Sequence, residues 1–460
     1  MSKNFKVGID YGGTKIEGIL MDNEGNEILR KRSTYEKNYE NGIDTVKSLI
    51  EEFDRHTNSV NTVGVCIPGF SSKETGLVNN ANCVWINDRP FHKDLERSLN
   101  RDIKLMNDAN CFALSEAIDG SGANYQSVWG IIIGSGFGGL SIASRLRSNG
   151  FDITLIEKQP DLGGRARTFF HEGYKYDAGP TVITAPYLID ELFSLHSEKL
   201  SDYVNLLPVK PWYRFLFDDG EYLDYGDKLS TTIREIRSKY GNHNAKSYVK
   251  LLKHSKRIFD KAFTELSDQP FESLGSMIKH LPELVRIRFD RSVYTAVDKH
   301  IGNVNLNQAL SMHPLLVGGN PYSTTSIYLL IQYLEWKWGV FYAEGGTGKI
   351  VDALEKLLSN KEVEIKKNTE ARKIILKNKK VVGVETTEGF INCDAVVCNS
   401  DPTYTYNKLL GYKPNKFSNN FNLKHSMSLF VLYFSTKRIY KDVKHHTIIF
   451  SKRHYELLND

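Results

Sequence analysis

The segment WGIIIGSGFGGLSIASRL, residues 129–146, runs an apolar strand into a glycine-rich turn and then into a helix. Few local sequences constrain a chain more. Glycine admits the tight backbone of the turn, and the first amides of the following helix lack intrahelical acceptors, so the junction attracts a phosphate. Two kinds of phosphate-binding fold are built this way, and the flanking residues must decide between them. Gly134, Gly136 and Gly139 spell GxGxxG directly after WGIII, and a helix is expected over Leu140–Ser148, ending at Asn149-Gly150. FDITLIEK then supplies a second strand, and its Glu157 lies about 20 residues on, where an acid hydrogen-bonds a ribose hydroxyl. The first glycine makes the turn, the second admits a pyrophosphate to the helix N-terminus, and the third lets helix and strand pack.

With 460 residues the chain can hold two or three domains, each with its own core. Residues 1–130 carry 15 basic and 19 acidic side chains and the remainder 45 and 36, an asymmetry that points to two modules. The basic second part is compatible with an anionic membrane surface, a solvated basic face being the blander reading. No basic helix with interleaved aromatics suggests nucleic acid. Cysteines at 66, 83, 111, 393 and 398 are odd in number and lack paired metal spacing, so a reducing cytoplasm is expected, with neither a disulfide framework nor a zinc site. His445-His446 is not expected to bind metal, because adjacent side chains on a strand diverge. No signal core or membrane span stands out, leaving a soluble chain or one peripheral at the inner face of a membrane.

The first 130 residues have their own logic. FKVGIDYGGTKIEGILMDNEGNEILRKRS reads as three short strands, 41–56 as a helix, TVGVCIPG as a buried strand, and DIKLMNDANCFALSEA as strand, polar corner and helix. A glycine turn after an Asp can surround a phosphate, or it can be an ordinary hairpin. In order, these segments resemble the first lobe of the ROK family of bacterial sugar kinases, a ribonuclease-H-like half lobe. Asp10, Gly12, Gly13, Thr14 and Lys15 match that family's phosphate loop, and Pro68-Gly69 and NNANCVWIND match its sugar-side loops. The resemblance implies Asp108 as catalytic base and Asn107 as a sugar contact. A hydroxyl attacking a γ-phosphate needs such an aligned base. The resemblance stops after the glycine loop, without the family's second lobe.

DLGGRARTF and YKYDAGPTVIT follow Glu157, and with the fingerprint they closely resemble bacterial-type phytoene desaturases. The resemblance runs through nearly all of 131–460 and implies FAD. Gly163, Gly164 and Arg165 match the GGR segment along that cofactor, and Asp177, Gly179 and Pro180 match a DAGPT segment near the flavin. The aromatic run from Tyr322 to Tyr342 is core, or lines an apolar tunnel. The chain ends at SKRHYELLND, where the resembling family continues with a segment that contacts the flavin, so an incomplete flavin end is expected.

The expected fold is α/β: a half lobe over 1–130, then an FAD-binding Rossmann-like domain with an α+β substrate domain. The Rossmann parts are placed at about 131–200 and 340–405, the substrate domain at about 205–340 and 405–460. The expected activity is FAD-dependent desaturation of an apolar C40 isoprenoid, impaired by the missing segment. A ROK-type sugar kinase and a non-catalytic fusion are the alternatives. No residue is named as the desaturase's acid or base, and no metal is assigned.

Overall fold

The computed structural model describes residues 5–13, 15–23, 25–71, 75–79, 81, 83–107, 129–265, 282, 284–412, 426 and 429–459. They form two compact units, the first of Met1–Arg167, Tyr187–Tyr203 and Ile350–Pro414, the second of Thr168–Pro186, Val204–Lys349 and Asn415–Asp460.

Unit 1 holds two mixed or parallel sheets that share no strand. The N-terminal sheet orders its strands Glu27–Ser33, Ile16–Met21, Lys6–Tyr11, Thr62–Ile67, Lys104–Asn107. The first three pair antiparallel and the last three parallel. Alternation turns Val7, Ile9 and Tyr11 inward, where the helix Tyr39–Thr57 adds Val46, Leu49, Ile50 and Phe53. That helix starts at Tyr39, ahead of the expected residue 41, because the Asn38 side chain accepts the Asn41 amide at 2.8 Å and replaces a missing intrahelical partner. Cys66 is disulfide-bonded, while Cys393 and Cys398 are free thiols. Oddness of the cysteine count excludes full pairing but not a single bridge.

The second sheet of unit 1 is wholly parallel, in the order Glu364–Lys366, Asp152–Ile156, Trp129–Ile133, Ala395–Cys398. Both central strands are buried beyond their first residue, as strands covered on two faces must be. The connecting helix runs Phe137–Ser148, starting three residues before the expected Leu140. Glycine's poor helix propensity argued for the later start, but Gly138 and Gly139 are held helical by packing against the strand ends. An antiparallel meander, Ala371–Lys377, Lys380–Thr386 and Gly389–Asn392, leads into the last parallel strand.

Unit 2 is built on the strands Tyr213–Leu216 and Tyr222–Tyr225, antiparallel, with Thr447–Ile449 parallel to the first. Against them pack the helices Leu229–Ile258, broken at Gly241, and Leu330–Trp338. Inside this core sits a buried polar group. Tyr213 donates to Glu335 at 2.7 Å, and His313 Nε2 lies 3.1 Å from the other Glu335 oxygen. Burial, and then the nearby Glu335 charge, hold the Tyr213 hydroxyl well above its ordinary range. Residues 168–186 belong to this unit, since the hairpin Thr168–His171/Tyr174–Asp177 is tied to residues 347 and 348.

Candidate functional site

The GxGxxG turn is locked by contacts that leave no room for side chains. Gly134 has φ +93 and donates its amide to Ile156 O at 2.9 Å, pinning the turn to the second strand. A Cβ on Gly139 would lie 2.0 Å from Gly134 O, so the third glycine sets how closely helix and strand approach. A Cβ on Gly136 would press on Asn399 Oδ1 at 3.0 Å, and one on Gly138 on Asn399 Nδ2 at 2.4 Å. Asn399 itself follows the last parallel strand and donates its amide to Ile133 O at 2.8 Å. Gly136 caps the helix without any side-chain hydrogen bond, and no acid sits in the first turn. The first-turn amides are therefore offered to an external anion at the positive end of the helix dipole.

Glu157, 7% exposed, works from beneath the loop. One carboxylate oxygen accepts the Ser135 amide at 3.0 Å and its hydroxyl at 2.6 Å; the other accepts the Gln159 amide at 2.9 Å. A carboxylate offers about four acceptor directions, so one stays open for a hydroxyl. Ser135 O in turn accepts the Gly163 amide at 2.9 Å, and Gly136 and Gly163 form a parallel bridge. The GGR segment thus lies edge to edge with the glycine turn. Gly164 at φ +56 would place a Cβ 3.1 Å from Gly136 Cα, and Gly163 at φ +102 would place one 2.8 Å from Val351. Arg165, beside them, is exposed.

In unit 2, Asp177 accepts the amides of Thr347 at 2.9 Å and Gly348 at 3.0 Å, at the start of the helix Gly348–Asn360. Pro180 O accepts the Thr347 hydroxyl at 2.6 Å, and a Cβ on Gly346 would strike the Asp177 carboxylate at 2.3 Å. The aspartate of the DAGPT segment is thereby committed to a helix terminus. Gly179 is half-buried and Pro180 exposed. Next along the segment, Thr181 Oγ1 lies 3.3 Å from His446 Nε2, and His446 Nδ1 lies 3.0 Å from Trp212 O. Burial pushes the His446 imidazole below its ordinary range, opposed by the Trp212 carbonyl.

On the kinase-like side, Gly12 donates to Lys15 O at 3.0 Å and accepts the Tyr35 hydroxyl at 2.9 Å, and Lys15 pairs with Glu17 at 3.7 Å. A Cβ on Gly13 would lie 3.6 Å from the Cys83 sulfur, and Asp10 is exposed. Asn107 ends the last strand, in register with Ile67. Thr14 and Asp108 lie outside the described residues.

The motif names neither Ser135 as the loop's anchor nor Asn399 and Gln159 as its supports. Asn399 stands 260 residues along the chain from Gly139, and only the strand pattern AVVC before it hinted that it lands there. A surface depression of about 450 Å³ lined by Arg147, His196, Lys361 and Glu362 lies at the C-terminal end of the Phe137–Ser148 helix. It is separated from the glycine turn by the helix length and takes no part in the site. Open first-turn amides, a residual acceptor on Glu157 and the close glycine-to-glycine seam suit the adenosine and pyrophosphate part of a dinucleotide.

Residues 6–147 match the ROK family and residues 137–456 match the family described as flavin containing amine oxidoreductase. The two matches overlap on the helix that follows the glycine turn. A phytoene desaturase (lycopene-forming) from Pseudescherichia vulneris is 39% identical over 334 residues, covering 72% of this chain and 68% of the relative. One from Pantoea ananas is 38% identical with the same coverage. A crystallised oxidoreductase from Methanosarcina mazei aligns at TM-score 0.43 and 18% identity, covering 59% of this chain and 58% of that one. Behind an N-terminal ROK segment, the chain therefore belongs to the flavin-containing amine oxidoreductases, in the phytoene desaturase family, whose cofactor is FAD.

Proposed function

We propose that residues from about 131 onward form an FAD-dependent carotenoid desaturase that removes two hydrogens from adjacent saturated carbons of phytoene or a related C40 isoprenoid. The single observation that carries this reading is the glycine turn, locked to Glu157 and to the GGR segment in one continuous seam. Bound flavin supplies the hydride acceptor, and the second hydrogen leaves as a proton. The chain's own residues bind and orient. In this reading the amides of the first helical turn hold the pyrophosphate, and Glu157 accepts from the ribose. Arg165 adds positive charge beside the phosphates, and Asp177 fixes the Gly348 helix terminus that supports the DAGPT backbone. The apolar, aromatic-rich core of unit 2 suits a substrate without polar groups, and contact with a membrane surface follows from where such a substrate dissolves.

Residues 1–130 are proposed as a module built on its own sheet within unit 1, with Asp10, Gly12, Gly13, Thr14, Lys15, Asn107 and Asp108 as remnants of a sugar-kinase cleft. A kinase reading of the whole chain is not favoured, since relatives matching over 72% of it are desaturases. The test is direct. Purified chain with FAD and phytoene in lipid vesicles is expected to yield the visible absorption bands of a lengthened conjugated polyene. Phosphorylation of a hexose by ATP, with no polyene formed, contradicts the proposal.

A further inference from the structure

Adjacent side chains on a strand diverge, yet the rings of His445 and His446 converge. His445 Nδ1 lies 3.2 Å from His446 Nε2, and the two rings meet edge to face at 4.5 Å. Both residues precede the strand Thr447–Ile449, so its alternation does not bind them. A further contact fixes which nitrogen of His446 carries the hydrogen. Its Nδ1 lies 3.0 Å from Trp212 O, and a carbonyl oxygen only accepts, so Nδ1 is the donor. In the neutral ring Nε2 is then the acceptor. It faces His445 Nδ1 and, 3.3 Å away, the hydroxyl of Thr181 at the end of the DAGPT segment.

A base held in one tautomer by a backbone carbonyl, with its lone pair turned to a hydroxyl, is an arrangement that accepts a proton. It also has an exit. His446 is half-buried, whereas His445 is exposed, its ring resting on Tyr342 at 4.5 Å. The buried Tyr213–Glu335–His313 group lacks such an exit, since Glu335 is 0% and His313 1% exposed. We propose that Thr181, His446 and His445 form a proton relay, carrying to solvent the proton that the substrate releases as its hydride leaves for the flavin. The substrate carbon gives its proton to the Thr181 oxygen while that hydroxyl gives its own to His446 Nε2. The electron pair of the broken carbon–hydrogen bond stays behind in the new double bond. His446 then passes a proton from Nε2 to His445 Nδ1, and His445 loses one from Nε2 to water, its tautomer resetting by exchange with water. The titratable groups that face His446 are His445, Tyr213, whose ring lies at 5.8 Å, and Glu335 on the helix Leu330–Trp338. Burial is the largest influence and lowers the imidazole from its ordinary 6.5, against the Trp212 carbonyl and Glu335, so the ring is neutral and ready to accept at pH 7.5.

This inference rests on the desaturase reading for the source of the proton, while the relay itself is read on the full chain without FAD. With histidine ring nitrogens labelled, NMR at pH 7.5 is expected to show His446 as the Nδ1–H tautomer. Under acid conditions, where the ring is protonated, exchange of its Nε2–H with water is expected to slow at least tenfold in His445→Phe, which keeps a ring on Tyr342 but no nitrogen. An Nε2–H or mixed tautomer, or exchange unchanged or faster in His445→Phe, overturns the proposal. With FAD and phytoene in vesicles, His446→Asn keeps a donor for the Trp212 carbonyl and removes the base. Its kcat is expected to fall at least tenfold at pH 7.5, with KM and the Kd for FAD within about twofold of wild type. The acid limb of the wild-type pH profile, where a protonated His446 cannot accept, is expected to vanish with it. A kcat equal to wild type, a retained acid limb, or a matching loss of FAD affinity overturns the proposal. A chain that passes the NMR tests and forms no polyene leaves the relay standing and contradicts the proposed activity; polyene formed by His446→Asn at the wild-type rate does the reverse.

Discussion

Glu157 is the residue on which the loop's geometry turns. It satisfies two buried donors on Ser135 and one on Gln159, and its removal strands them. A buried donor left unpaired costs about 1–3 kcal/mol. Glu157→Ala is expected to lower the urea midpoint of unit 1 and to weaken FAD at least tenfold, whereas Glu157→Gln keeps two acceptors on its one carbonyl oxygen and recovers part of both. Equal behaviour of the two variants would remove Glu157 from the site. Gly139→Ala is a sharper case, because the added carbon would meet backbone oxygen at 2.0 Å, and backbone cannot swing aside. Overpacking of this kind costs about 1–3 kcal/mol; a stable Gly139→Ala protein with full FAD affinity would contradict the packing described. The three glycines and the acid were legible in the sequence, because each is required by backbone geometry at a fixed spacing. Asn399 was not, since its place under Gly136 and Gly138 is fixed by tertiary folding of a distant strand.

Among elements, the helix Gly348–Asn360 shows how a motif residue acts. Asp177 was read as lying near the flavin, and the structure gives its carboxylate a defined job at that helix's first amides. Asp177→Ala is expected to destabilise unit 2 by about 1–2 kcal/mol, the usual cost of losing a cap; Asp177→Asn should retain about half of it, and a neutral Asp177→Ala in urea denaturation would deny the cap. Acid sensitivity belongs to the helices and strands of unit 2 as well. Burial is the largest cause lowering the imidazoles of His254, His300, His446 and His454 from their ordinary 6.5. The native state keeps them neutral while the unfolded chain protonates them. Below pH 6.5 the unfolded state thus binds more protons, and stability falls as pH drops from there toward the depressed native values. The urea midpoint is expected to be lower at pH 5.5 than at pH 7.5; an unchanged or higher midpoint would show that these histidines are solvated. Strand positions were readable from alternation and burial runs, but the helix start at Phe137 was not, because tertiary packing overrode glycine's poor helix propensity.

For the molecule as a whole, the two family matches overlap over residues 137–147, inside the helix after the glycine turn, and so raise the question of which fold that turn serves. The strand Trp129–Ile133 resolves the question in favour of the second. It pairs with Asp152–Ile156 and Ala395–Cys398, and it shares no sheet with Lys6–Tyr11 or Lys104–Asn107. The glycine turn after it is hydrogen-bonded to Glu157, an acid of the type suited to ribose, so nucleotide preference is the property that separates the two readings. The most direct measurement is a titration of the purified chain with FAD, followed by quenching of flavin fluorescence, in the presence and absence of excess Mg·ATP, for wild type and Glu157→Ala. Saturable FAD binding is expected, not displaced by Mg·ATP and weakened at least tenfold by Glu157→Ala. Binding of Mg·ATP in place of FAD, or FAD binding indifferent to Glu157→Ala, would contradict the assignment of this loop to a flavin dinucleotide.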